Sequence, residues 1–264
     1  MIKASRNGIK RGDVETKDRD YLPKDELLSH GKQHSLPPED IAINLLNACK
    51  FDSCSLDSHA LLTEALDYLY QHYDLKVKES GSKSFCSPTI ICRYHCSKNL
   101  IEINDTLSKN ARTYLFALAH VTGHWIMNHN NDTRWQNSSQ DIIDDTIQSI
   151  FEWNKDRPKS EIYMEIQANK FAAFLLMPRR ILTVTVIAIQ TQLGIGRAGR
   201  IYLDSQPCNI TDYRRILAQL EQLFSIPRNI IAWHLRQLDI VVGHNYAQSI
   251  PRLSEGYFLS QIHK

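Results

Sequence analysis

The stretch ARTYLFALAHVTGHWIMNH, residues 111–129, most constrains what this chain can fold into. It is apolar nearly all round, which predicts a helix packed on several sides. His120 and His124 are separated by just over one helical turn, so both imidazoles are expected on one face. A zinc ion needs this spacing to take two nitrogens from one rigid helix. An unpaired polar ring in an apolar helix costs free energy, which strengthens the case for zinc binding, and a chance pair of core histidines stays the alternative.

A third ligand has to come from a second element. The stretch EIQANKFAAFLLMP, residues 165–178, predicts a helix that ends at its proline. Glu165 shares the apolar face of this helix with Ala168 and Ala172 by three-and-four spacing. A carboxylate on a buried face is rarely left unpaired, so Glu165 is the candidate third ligand. Asn169, one turn further on, is expected to hydrogen-bond a ligand or to cap backbone groups.

Composition limits the function classes. The 264 residues hold 31 Lys and Arg against 29 Asp and Glu, a net charge of +2, too near neutral to indicate a surface for nucleic acid or membrane. No run approaches the roughly 20 apolar residues of a membrane span, and no apolar run typical of a secretory signal opens the chain. Six irregularly spaced cysteines indicate reduced thiols and hence a cytoplasmic protein. Cys92, His95 and Cys96 lack the second ligand pair of a structural zinc site and are interpreted as side chains of a half-buried strand.

The order of elements follows from local patterns. Residues 1–35 are charged and poor in large apolar side chains, which predicts a flexible tail. TIICRYH and LIEIN, joined by a Cys-Ser-Lys-Asn turn, predict a β-hairpin. For ILTVTVIAIQ, helix and strand both stay open. Helical periodicity predicts further helices over about 57–72, 141–151, 211–224 and 227–238.

The two site stretches also carry a family resemblance. AHVTGHWIMNH followed by EIQANKFAAFLLMP resembles the ImmA/IrrE family of metallopeptidases, whose members show Ala-His-Glu-x-x-His and then Glu-x-x-Ala-Asn-x-Phe-Ala-Ala-x-Leu-Leu-Met-Pro. The similarity extends over about residues 36–242. It implies one zinc ion held by His120, His124 and Glu165. It also implies a cytoplasmic protein from a bacterial, phage or mobile-element setting, where relatives relieve repression by cutting a helix-turn-helix repressor.

One position departs from the family. The glutamate between the histidines, which serves the family as general base, is Val121 here. In metal-assisted hydrolysis a carboxylate takes a proton from the metal-bound water and passes it to the leaving amine, and valine can do neither. We therefore expect a metal site with little or no peptidase turnover. Asp141, Asp144 or Asp145 is the alternative base, although an acidic run is normally a solvated helix surface.

Two further motifs have simpler interpretations. The letters GIGRAG at residues 194–199 match the dinucleotide-binding fingerprint, which requires a helix directly after it. The stretch that follows, RIYLDSQPCN, does not show the apolar spacing of a helix, so a loop is favoured. His129 lies five residues beyond His124 and is expected to point elsewhere on the helix, as a core-edge or capping histidine.

The end of the chain resembles the helix-turn-helix-like end of ImmA/IrrE proteins in the stretch LFSIPRNIIAWHLRQLDIV. Its second helix offers only Arg228, His234 and Arg236 as candidate DNA contacts. Recognition of a DNA sequence needs several Arg and Lys side chains directed at bases or phosphates. A packing role is favoured, and DNA binding through residues 210–238 is kept as an alternative.

The sequence thus predicts an α+β fold, zincin-like and mainly helical with a small β-sheet, plus a C-terminal helix-turn-helix-like helical subdomain. The expected domains are a zincin-like metallopeptidase domain over 36–180, and a C-terminal helical subdomain and tail over 181–264. The leading hypothesis is a zinc-binding regulator that acts on a repressor or other partner protein without cutting it. The alternatives are a still-active zinc endopeptidase that cleaves a helix-turn-helix repressor, and a DNA-binding or scaffolding regulator.

Overall fold

The computed structural model describes residues 36–49, 57–107, 112–129, 141–151 and 158–243. The expected tail over 1–35 lies outside these residues. The helices within them are α1 (Pro38–Ala48), α2 (Ser58–Tyr73), α3 (Arg112–Ile126), α4 (Ile147–Phe151), α5 (Lys159–Leu176), α6 (Arg179–Gln192), α7 (Pro207–Phe224) and α8 (Arg228–Gln237). The strands are β1 (Lys76–Ser80), β2 (Ile90–His95), β3 (Leu100–Asn104), β4 (Ile142–Thr146), β5 (Ile201–Tyr202) and β6 (Val241–Val242), with a 3-10 turn over Ser82–Ser84.

A small mixed sheet has four strands in the order β1-β3-β2-β4. β1 and β3 are parallel, whereas β2 is antiparallel to both β3 and β4. The predicted hairpin is confirmed, since Tyr94 pairs with Ile101 across β2 and β3. The short strands β5 and β6 pair in parallel as a separate sheet. The expected α+β fold, mainly helical with a small sheet, is confirmed.

The predicted helix over 141–151 is wrong in its first half. Residues 142–146 form β4, and only the five residues of α4 are helical. β4 is a strand because its backbone pairs with β2, and because the Arg93 guanidinium forms an ion pair with Asp144 at the same register position. This pairing joins residues about fifty positions apart, so helical periodicity within one segment does not reveal it. The segment left open between helix and strand is α6.

The two site helices pack closely at Gly123. A Cβ added there would lie 3.0 Å from the Phe171 ring and 3.2 Å from the Cα and carbonyl oxygen of Ala168. The absence of a side chain therefore lets α3 approach the backbone of α5 directly. Because Gly123 lies between His120 and His124, this close approach brings the histidine face of α3 against α5.

The C-terminal end of α5 is held by two distant helices. The Ser58 hydroxyl of α2 donates a hydrogen bond to the Leu176 carbonyl at 2.8 Å, and His234 Nε2 of α8 donates to the Met177 carbonyl at 3.0 Å. These bonds satisfy carbonyl groups that the end of a helix leaves without partners. One continuous core extends from Ile41 in α1 to Ile240 near β6. The division of the chain at residue 180 stays a prediction.

Among the described residues, no single helix has the length and apolar character to cross a membrane. The bent pair of α5 and α6 meets those two criteria jointly, with an angle of 61° at the break between them.

Candidate metal centre

The two histidines of α3 point to one spot inside the protein. His120 is fully buried and His124 is 2% exposed. Their Nε2 atoms lie 3.1 Å apart, as expected for residues just over one turn apart on a helix face. The structure therefore brings this predicted pair together.

Glu165 of α5 faces the same spot. Its Oε2 atom lies 3.2 Å from His120 Nε2 and 3.8 Å from His124 Nε2. Glu165 is 9% exposed, so it is buried, although it is the most exposed of the residues that face this spot. The three residues that the sequence proposed as ligands converge from two helices.

A fourth residue, Asp145 of β4, joins them. The side chain has no solvent exposure, and its Oδ1 atom lies 3.8 Å from His120 Nε2. The sequence singled out Asp145 only as one of three acidic residues on an expected solvated helix. That expectation is wrong for Asp145, because β4 is a strand that turns this side chain inward. The local pattern gives no signal of this, since Ile142 of the same strand is 43% exposed.

The other two acidic residues of that run have different partners. Asp144 forms an ion pair with Arg93, with Oδ2 at 2.9 Å from the terminal nitrogen. Asp141 accepts a hydrogen bond from the Ser97 amide at 2.9 Å. Of the three acidic residues considered as an alternative base, the structure brings only Asp145 to the histidines.

The Nδ1 atom of His120 is bound by Asn169. Asn169 donates its amide nitrogen to the Ile150 carbonyl at 3.0 Å, which turns its amide oxygen towards His120 Nδ1 at 2.9 Å. An amide oxygen only accepts, so His120 donates from Nδ1 and turns Nε2 towards the cluster. Asn169 thus bonds both His120, one of the proposed ligands, and a backbone carbonyl, which are the two roles that the sequence left open.

His124 is oriented by a relay that the sequence did not predict. His129 Nε2 lies 3.2 Å from Gln167 Oε1 and donates to it, so His129 Nδ1 can accept from His124 Nδ1 at 2.9 Å. His124 thereby also presents Nε2 to the cluster. The expectation that His129 points elsewhere was wrong, because the chain leaves the α-helix after Ile126 and turns this ring back onto His124. Such outer hydrogen bonds commonly fix the tautomer of metal-binding histidines.

The ionisable groups of the cluster shift the pKa values of one another. Burial by itself lowers the pKa of His120, but the facing carboxylates of Asp145 and Glu165 outweigh burial and raise that pKa to about 10. Burial raises the pKa of Glu165, and its contacts with His120 and His124 reverse this and lower it. Two carboxylates enclosed with two imidazoles thus favour a bound positive charge.

The geometry fits a divalent cation. His120, His124, Asp145 and Glu165 each offer a ligand atom, and these atoms all lie within 4.8 Å of one another. Ligands at about 2.0–2.1 Å from a tetrahedral zinc ion are roughly 3.3 Å from one another. Four of the observed separations are 3.1, 3.2, 3.8 and 3.8 Å. Neither carboxylate oxygen of Asp145 accepts a hydrogen bond from the described residues, which leaves both available to an ion.

Val121, at the family's general-base position, is fully buried and belongs to the hydrophobic core. Its neighbour Thr122 donates its hydroxyl to the Leu118 carbonyl at 2.8 Å. Neither side chain offers a proton acceptor to the cluster.

The other sequence candidates lie apart from this cluster. The loop interpretation of residues 194–199 is confirmed, since they follow helix α6 and are held by Gln190, which bonds Gly199 and Arg200. His95 pairs with Glu102 at 2.7 Å rather than with Cys92 or Cys96. Among the described cysteines none forms a disulfide.

The candidate DNA contacts of α8 have partners within the protein. Arg228 bonds Glu221 at 2.6 and 3.0 Å, and His234 is fully buried against Met177. Arg236 lies 3.4 Å from the Tyr213 hydroxyl. These contacts agree with a packing role for the closing helices.

A pair of helices that brings two histidines against a buried glutamate, with α3 packed on β2 and β3, defines the class of a zincin-like metallopeptidase domain. Residues 73–185 match the family model described as the IrrE N-terminal-like domain, a family of peptidases. This match supports membership of the ImmA/IrrE family, and the resemblance inferred from the motifs is confirmed. A search of curated proteins found no match to the chain.

Proposed function

We propose that this chain is a zinc-binding regulator of the ImmA/IrrE family that binds a partner protein without cutting it. His120, His124 and Glu165 hold the ion, and a helix-turn-helix repressor is the partner class that the family resemblance implies. The same resemblance implies a cytoplasmic setting. The observation that carries the proposal is the coexistence of a retained, buried donor set with Val121 at the position of the base.

The chemistry of the donor set supports ion binding. A bound zinc ion supplies a Lewis acid that polarises a carbonyl group or a water molecule. Because Asn169 and His129 accept the Nδ1 protons of His120 and His124, Nε2 of each ring faces the cluster, where an ion would displace any proton held on that nitrogen. Hydrolysis also requires proton transfer to the leaving amine, and positioned acid-base groups contribute typically about 10²–10⁴-fold. Val121 cannot contribute this factor.

The second candidate function is an active zinc endopeptidase, and one observation favours it. The carboxylate of Asp145 lies in the cluster, 3.8 Å from His120 Nε2, and a carboxylate is the usual proton acceptor in such sites. In this alternative Asp145 replaces the missing glutamate from a different element of the fold.

A cleavage assay separates the two candidates. The zinc-loaded full chain is incubated with fluorescently labelled casein, alongside His120→Ala and Asp145→Asn variants. The proposal predicts no cleavage above that of His120→Ala. Cleavage by the wild type that a chelator removes, and that is lost in His120→Ala, would contradict it. Loss in Asp145→Asn as well, with zinc still bound, would then assign the base to Asp145.

A further inference from the structure

We propose that Asp145 is a fourth protein ligand of the metal ion, so that the protein itself closes the coordination sphere and leaves no position for water or substrate. This inference rests on the metal site of the proposed function and specifies its chemistry. It assigns the site to the closed, four-ligand type found in structural zinc centres, rather than to the three-ligand type that keeps a reactive water.

The first support is that Asp145 is held in place and does not have to move into the site. Its neighbour Asp144 is fixed by the Arg93 guanidinium of β2. On the other side, Ser149 Oγ donates to the Thr146 carbonyl and accepts from the Thr146 amide at 2.9 and 2.8 Å. β4 is therefore fixed on both sides of Asp145.

The second support is the burial of its carboxylate. Asp145 has no solvent exposure, and within the described residues neither of its oxygens accepts a hydrogen bond. A buried carboxylate without donors is unfavourable unless a cation compensates it. The His120 ring is the facing group, and its Nε2 atom is also the atom that faces Glu165 and His124. A cation among these groups would contact all of them.

The third support is the position of Asp145 relative to the three proposed ligands, His120, His124 and Glu165. Asp145 Oδ1 stands 3.8 Å from His120 Nε2, the same distance that separates Glu165 Oε2 from His124 Nε2. A general base contacts the metal-bound water rather than the ion itself, so it lies farther from the ion than the ligand atoms do. Asp145 lies at a ligand's distance, which favours coordination over proton transfer.

Val121 and Asp145 are the two departures from a hydrolytic site, and both act against hydrolysis. Val121 removes the proton acceptor, and Asp145 takes the position that a metal-bound water would need. Each change suffices to suppress hydrolysis, and together they describe a site built to hold an ion permanently. The ion then links α3, α5 and β4, which are the three elements that supply the ligands.

The test is cobalt substitution in the full chain, with azide as a probe of an open coordination position. The wild type is compared with Asp145→Ala, Asp145→Asn and the control Thr185→Val, which changes a buried polar side chain of α6 outside the site. We expect intense visible bands of four-coordinate Co²⁺ in the wild type, unchanged by azide. Asp145→Ala should bind Co²⁺ at least about tenfold more weakly, with a spectrum that azide changes. Thr185→Val should behave like the wild type.

The inference is overturned if azide changes the wild-type spectrum as it changes that of Asp145→Ala, or if Asp145→Ala binds Co²⁺ as tightly as the wild type. If the variants do not fold, X-ray absorption of the zinc-loaded wild type decides, since a water ligand in addition to the imidazoles and one carboxylate contradicts a closed sphere. A wild type that takes up neither Co²⁺ nor Zn²⁺ would refute the proposed function itself, which is a separate outcome.

Discussion

The amide oxygen of Asn169 lies 2.9 Å from Nδ1 of His120 and fixes which ring nitrogen faces the metal centre. His129 does the same for His124 at 2.9 Å. Both acceptors are held in turn, Asn169 by the Ile150 carbonyl and His129 by Gln167. The orientation of the two imidazoles is therefore built into the fold before any ion binds.

Replacing these acceptors should weaken metal binding without removing it. We expect Asn169→Ala and His129→Phe each to lower zinc affinity by about 10- to 100-fold, because the imidazoles lose the bonds that select their tautomers. Titration against a competing chelator measures this. Thr185→Val is the control, since Thr185 is buried in α6 and bonds only the Ile181 carbonyl in that helix. Unchanged affinity in both variants would show that the outer hydrogen bonds are unimportant.

Gly123 should be sensitive to any side chain. A Cβ at position 123 would already lie only 3.0–3.2 Å from the Phe171 ring and the Ala168 backbone. Gly123→Val adds two methyl groups to this crowded position. We expect a loss of about 1–3 kcal/mol in the free energy of unfolding, typical of overpacking, together with weaker zinc binding as α3 moves away from α5. Urea unfolding and chelator titration measure the two effects.

The matched control for this substitution is Gly196→Val, since a Cβ at Gly196 meets nothing within 4 Å. It should change stability by no more than about 0.5 kcal/mol. Equal stability of the two variants would contradict close packing at Gly123.

The pH dependence of stability should contain a contribution from His234. Burial is the main cause that lowers the pKa of His234 to about 4, against the opposing hydrogen bond to Met177. The unfolded chain has a histidine pKa near 6.5 and so binds more protons than the folded chain between these values. Stability from this group is therefore complete above about pH 6.5 and is lost as the pH falls towards 4.

His234→Gln keeps a donor for the Met177 carbonyl and cannot titrate. Between pH 7.5 and 4.5 the wild type should lose about 2 to 3 kcal/mol more than this variant. Urea unfolding of chelator-treated protein at both pH values measures the difference. Parallel losses in the two proteins would contradict a neutral, buried His234.

Restoring the base should not be enough to restore hydrolysis. Val121→Glu supplies the missing carboxylate, yet Asp145 still takes the position of the water, so we expect casein cleavage only in Val121→Glu combined with Asp145→Ala. The gain should be on the order of 10²–10⁴-fold. Val121→Gln with Asp145→Ala is the control that lacks a base. Cleavage by the single variant Val121→Glu would show that the coordination sphere is open.

Local pattern was sufficient to predict the two site helices and the donors they carry. His120 and His124 stand at helical spacing on α3, and Glu165 stands at helical spacing from Ala168 and Ala172 on α5, so each could be assigned to a face from neighbouring residues alone. Asp145 could not, because its inward orientation depends on pairing between β4 and β2, which are distant in sequence. His129 could not either, because its ring position depends on where α3 ends. Non-local contacts thus decided the part of the site that the sequence left open.

The metal content of the purified full chain tests the central claim most directly. Elemental analysis should find close to one zinc ion per chain in the wild type, and much less in Glu165→Ala, which removes a carboxylate 3.2 Å from His120 Nε2. Thr185→Val, which lies outside the site, should retain the wild-type content. A wild type that carries no metal after loading with zinc, or a Glu165→Ala variant that holds as much as the wild type, would contradict the account.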